Sequence, residues 1–96
     1  MNINTTPAIL FPLGLVVATP GALEVLDKQA VNASTLLERH QSGDWGAVPE
    51  DDAQQNLLSV TNGIRILSSY PIGEDRIWII TEADRSSTTL LLPEEY

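Results

Sequence analysis

The spacing of apolar residues changes character along the chain, and each change predicts a structural element. Leu13–Ala18 (LGLVVA) is a short, β-branched apolar run and reads as a buried strand. Thr19-Pro20 then supplies an N-cap and a proline at the first helical position, where its missing N–H costs nothing. The predicted helix runs to about Lys28, buries Leu23 and Leu26, and places Glu24 four residues before Lys28. Asn32 opens a second helix, with Val31 and Leu36 spaced as a hydrophobic staple. Ala33, Leu36, Leu37 and His40 share one face of that helix, and Gly43 ends it. Gly43-Asp44-Trp45-Gly46 is a turn. Glu50-Asp51-Asp52 sits at the positive end of a third helix, whose apolar stripe is Ala53, Leu57 and Val60 and whose stop is Asn62-Gly63.

From Ile64 the period becomes two. A strand carrying Ile64, Ile66 and Leu67 extends to about Tyr70, and Pro71–Asp75 turns the chain. Arg76–Glu82 and Ser87–Leu92 follow as strands joined tightly through Ala83–Ser86. The prediction is an α+β fold of order β-α-α-α-β-β-β, with a C-terminal three-stranded antiparallel meander and the helices packed on one face. Residues 1–12 form a flexible N-terminal segment whose polar end, Met1–Thr6, frays. Residues 13–96 form a single domain.

Composition narrows the functional classes. The 96 residues include 13 acidic and 5 basic side chains, for a net charge of −8. This balance disfavours direct binding to nucleic acid, where phosphate contacts need clustered Lys and Arg. With no cysteine there is no disulfide framework, thiolate nucleophile or thiolate zinc site. The N-terminal stretch has no basic region, and Pro7, Pro12 and Gly14 interrupt its apolar run. A signal peptide or membrane anchor is therefore not expected, and the cytoplasm is the expected compartment. Neither a Walker loop nor a G-x-G-x-x-G turn is present, so no nucleotide cofactor is expected.

Three clusters carry candidate chemistry. His40, the one histidine, has the chemistry of a general base, with Asp44 as its orienting carboxylate. The bland alternative is a structural histidine at a helix C-terminus. With no second His and no Cys, no metal site is expected. Trp45 could anchor a recognition loop, or fold back over the core above a tight turn. Glu82, Asp84 and Arg85 could perform acid–base work or hold an anion. Alternatively they form a solvated hairpin tip in which Asp84 bonds its own turn and Arg85 neutralises nearby acids. Ser86 and Ser87 lack a nucleophile-elbow pattern.

Three stretches, Val17–Leu23, Arg39–Gly46 (RHQSGDWG) and Trp78–Thr89 continuing to Leu91–Tyr96, carry a combined signature. The chain from about Leu13 onward resembles a family of small, uncharacterised bacterial proteins borne on plasmids and other mobile elements. That resemblance implies a setting and no established activity. The reading that follows is a non-catalytic accessory or regulatory protein acting through an unidentified protein partner or as a homo-oligomer. Its expected contact residues are Trp45, Tyr70, Trp78 and Arg85. One alternative is a small hydrolase or nuclease-like enzyme using His40, Asp44, Glu82 and Arg85. Another is an acidic nucleic-acid mimic, limited by the number of acids to a short stretch of duplex.

Overall fold

The structure is a computed structural model and describes residues 8–96, so Met1–Thr6 lies outside the described residues. The elements are β1 (Leu15–Ala18), α1 (Pro20–Lys28), α2 (Ala33–Gln41), α3 (Glu50–Asn62), β2 (Ile66–Ile72), β3 (Asp75–Thr81) and β4 (Ser87–Leu91). A short 3₁₀ turn at Pro93–Glu95 follows. The predicted order and the antiparallel C-terminal meander are both present. The sheet order is β1-β4-β3-β2, with β1 running parallel to β4.

Alternation divides the sheet into two faces. Tyr70 and Ile72 of β2, Ile77 and Ile79 of β3, and Leu90 of β4 face Ala22, Val25 and Leu26 of α1 and Leu36 of α2. This is the main core. A second cluster joins Phe11, Trp45 and Ile66 to Leu13, Val48, Ala53 and Val60, closing the end of the sheet nearest α3. The opposite sheet face carries Leu67 and Ser69 of β2, Arg76, Trp78 and Ile80 of β3, and Thr89 and Leu91 of β4; Ser69, Ile80 and Leu91 are buried, Trp78 is half-buried and Arg76 is exposed.

The local signals for the helices act as predicted. Thr19 Oγ accepts from the Ala22 amide at 3.1 Å, and Asn32 Oδ1 from Ser34 at 2.9 Å. Gly63 ends α3 in the left-handed conformation, with φ at 65°.

Packing departs from the prediction in four places. The strand predicted to be buried starts at Leu15 and lies at the sheet edge, with Leu15, Val16 and Val17 exposed. Helix α1 turns Ala22, Val25 and Leu26 inward and leaves Leu23 in solvent, because its buried stripe is displaced by one residue. Lys28 pairs with Asp75 at 3.3 Å across the β2–β3 turn, not with Glu24. On α3, Leu57 is exposed, while Asn56 and Ser59 are buried.

The burial of Asn56 has a clear cause. Its side chain donates to the Leu67 carbonyl at 2.8 Å and accepts from the Leu67 amide at 3.2 Å, completing the outer edge of β2. The same edge is answered at Ser69, whose amide donates to Trp45 O and whose carbonyl accepts from Ala47 N. Ser59 Oγ donates back to the Gln55 carbonyl one turn earlier at 2.8 Å. The folded region also begins before Leu13. Leu10 N bonds the Gln41 carbonyl at 2.9 Å, and Phe11 is buried against Trp45.

Candidate functional site

His40 sits at the centre of a buried polar chain. It is fully enclosed, with Phe11 edge-on at 5.1 Å and Trp45 at 6.0 Å between ring centroids. Ring atom Nδ1 lies 2.6 Å from Ser68 Oγ, and Nε2 lies 2.9 Å from Thr81 Oγ1. Thr81 Oγ1 is 2.7 Å from Thr88 Oγ1, which donates to the Leu13 carbonyl at 2.8 Å.

Donor arithmetic fixes the direction of this chain. The Leu13 carbonyl can only accept, so the single Thr88 proton goes to it and Thr88 must accept from Thr81. The Thr81 proton is thereby committed, so Thr81 accepts from Nε2–H. Nδ1 is left as the acceptor for the Ser68 hydroxyl. The neutral ring in its Nε2–H tautomer satisfies every member. Burial, reinforced by the positive charge of Arg85, pushes the imidazole pKa down to about 3.

His40 therefore touches a serine hydroxyl but has no route to a substrate, since Ser68, Thr81 and Thr88 are buried with it. It tethers α2 to β2 and, through the threonines, to β3, β4 and the lead-in to β1. Asp44 does not orient it. The Asp44 carboxylate grips Arg39 through Nε at 2.6 Å and accepts from Gly46 N at 3.3 Å. The Arg39 hydrogen bond holds the Asp44 carboxyl below its ordinary range, and Asp44 in turn raises Arg39.

Trp45 and Tyr70 belong to the interior. Trp45 folds back beneath the turn as part of the second core cluster. Tyr70 is fully buried, donates to the Asp44 carbonyl at 2.6 Å and lies under Arg39 at 4.5 Å. Burial raises its phenol to about 12. Neither residue can be an exposed anchor.

The Glu82–Arg85 loop also serves the fold. Asp84 Oδ1 accepts from Ser86 N at 3.0 Å, closing the turn. Arg85 donates to the carbonyls of Ser59 (2.7 Å), Ile64 (2.8 Å) and Glu82 (3.0 Å), binding the end of α3 to the β3–β4 turn. It makes no salt bridge to the acids beside it. Glu82 and Asp84 are exposed. Arg85→Ala should cost about 1.5–2 kcal/mol by removing charged donors from these carbonyls. In urea unfolding we expect a lower midpoint with an unchanged slope.

Exposed aromatic and guanidinium groups meet on the sheet face turned away from α1 and α2. The Trp78 ring packs edge-to-face on Tyr96 at 5.6 Å, and Arg65 stands over the Tyr96 ring at 5.3 Å. Arg76 Nη1 donates to Ser69 Oγ at 2.8 Å. A shallow groove of about 290 Å³ runs beside them, bounded by Val48, Asp52, Leu67, Ser69, Arg76 and Trp78. Tyr96 is held in place because the 3₁₀ turn is tied to the start of α1. Glu95 Oε1 accepts from Thr19 Oγ1 at 2.6 Å and from Leu92 N at 2.7 Å.

Of the contact residues expected from sequence, Trp78 alone lies on this face. Arg65, Arg76 and Tyr96 were missed there; strand alternation is the signal that groups Arg76 with Trp78, whereas Arg65 precedes β2 and is placed by its contact with Tyr96. Among the described residues, no group of three or more His, Asp or Glu side chains is placed to hold a metal ion. No helix among them is long and apolar enough to cross a membrane. The chain matches no protein-family model, no curated protein and no solved structure.

Proposed function

We propose that this is a non-catalytic accessory protein that binds another polypeptide on the open face of its sheet. The observation that carries the reading is the grouping of Trp78 and Tyr96 with Arg65 and Arg76. Lys28 and Arg39 are paired with carboxylates, and Arg85 with backbone carbonyls. Arg65 and Arg76 make no salt bridge among the described residues. In a chain of net charge −8, two such guanidiniums flanking two aromatic rings favour a segment that offers carboxylates beside apolar side chains. The burial of His40 and the pairing of Asp44 with Arg39 weigh against the enzymatic alternative. The setting on a mobile element rests on the sequence resemblance alone.

Capture from nuclease-treated lysate tests the reading with charge reversals at two exposed side chains, each variant first checked for a parent-like far-UV spectrum. Arg65→Glu and Arg76→Glu should each reduce recovery of a specific partner at least about tenfold, as expected for oppositely charged contacts turned like-charged. Leu57→Ser on the exposed side of α3 should leave recovery unchanged. Equal recovery by both reversals, or loss of the partner on nuclease treatment, would contradict the proposal.

A further inference from the structure

The two edges of the sheet are finished differently. Along β2, the outward groups of Leu67 are bonded by Asn56 and those of Ser69 by the Trp45–Ala47 turn, while Pro71 has no N–H to offer. Along β1, Leu15 N donates to Ser86 O and Thr19 N to Leu90 O, both toward β4. Alternation then turns the N–H and C=O groups of Val16 and Ala18 outward, where the described residues offer them no backbone partner. Leu15 is 68% exposed, and Val16 and Val17 are each 42% exposed. Natural edge strands are usually guarded by shortness, charge, proline or a bulge, and this one, though only four residues long, carries no charge, proline or bulge.

From this edge we infer that β1 pairs with β1 of a second copy of the same chain, joining both sheets into one. Charge favours this occupant, because an uncharged strand suits this edge and β1 is itself one. The first charged side chain in the sequence is Glu24, and Ser87–Leu92 beside β1 is also uncharged. A second copy, itself at −8, can therefore lay its own β1 against this one with no charged side chain on either strand; the Glu95 carboxylate is held at Thr19, just past the paired Val16 and Ala18. The strand is also compatible with its own antiparallel image. With the twofold axis at Val17, Val16 of each copy exchanges N–H···O=C bonds with Ala18 of the other, and the two Val17 side chains meet.

This pairing uses a different strand from the binding face, so Arg76→Glu should leave it intact. Sedimentation of the full chain between about 1 and 300 μM should show a monomer–dimer equilibrium governed by mass action. Val16→Pro removes only an outward N–H, and Val17→Lys sets two like charges opposite each other. Each should weaken association at least about tenfold while leaving the far-UV spectrum and thermal midpoint near those of the parent. In the parent, exchange of the Val16 and Ala18 amides should slow as concentration rises, whereas Leu15 and Thr19 should exchange slowly throughout. A monomer at every concentration would overturn the proposal. So would a dimer that survives both substitutions, or protection of Val16 and Ala18 in the monomer through cover by the chain's own N-terminus.

Discussion

Replacing His40 with Ala should lower stability by about 3–4 kcal/mol, a large share of what a domain of this size possesses. The loss has two parts. The imidazole fills the space between Phe11 and Trp45, and its removal opens a cavity under both rings. It also deprives Ser68 Oγ of its acceptor and Thr81 Oγ1 of a donor, in an interior where neither hydroxyl meets water. A fall in melting temperature of more than about 12 °C is expected.

The parent should also be acid-sensitive in a particular window. The folded ring protonates near pH 3, whereas the same ring in the unfolded chain protonates near its ordinary 6.5. Between these values the unfolded state binds the extra proton, so stability falls as the pH drops. The expected loss is about 2 kcal/mol from pH ~6.5 to ~5, and on the order of 4 kcal/mol by pH ~3. Urea midpoints measured from pH ~7 to ~5 should slope in the parent and be nearly flat in His40→Ala.

Gly46→Ala should be comparably damaging for a steric reason. A Cβ at this position would lie 2.1 Å from the Ser69 carbonyl and 2.7 Å from the Tyr70 ring, on a backbone with φ at +73°. Relief requires the turn to leave β2. That motion breaks the Ser69 N to Trp45 O and Ala47 N to Ser69 O bonds, and pulls Asp44 O away from the Tyr70 hydroxyl. We expect a cost of about 3 kcal/mol or more, with Trp45 becoming solvent-accessible by fluorescence. Gly63→Ala provides the contrast. It shares the positive φ, but its nearest neighbour would be 3.8 Å away, so the cost should be only about 1–2 kcal/mol. Equal losses from the two substitutions would show that backbone conformation, not the approach to β2, sets the requirement at Gly46.

What could be read from the sequence was what depends on near neighbours. Thr19 and Asn32 cap helices with amides two or three residues away, so their roles follow from local spacing. The face of α2 was legible as well, and His40 falls on it as the periodicity requires. The partners of His40 were not legible. Ser68, Thr81 and Thr88 lie on three different strands, and only the register Ile66↔Thr81 and Thr81↔Thr88 brings them together. The exposure of β1 was hidden because LVVA suits a buried strand and an unguarded edge equally well. The role of Arg85 was hidden for another reason. Nearby acids suggested ion pairs, whereas the guanidinium reaches carbonyls at Ser59 and Ile64, far back in the chain.

His40, Asp44, Tyr70 and Arg85 hold the fold together, and the proposed binding is left to the outer sheet face. Ring-nitrogen NMR of His40 tests this most directly. The ring should be a neutral Nε2–H imidazole from pH ~8 down to ~4, with a slowly exchanging ring proton, as for a buried ring with both nitrogens bonded. A ring that titrates near its ordinary pKa, or whose proton exchanges freely with solvent, would contradict it and return His40 to the surface as a candidate base.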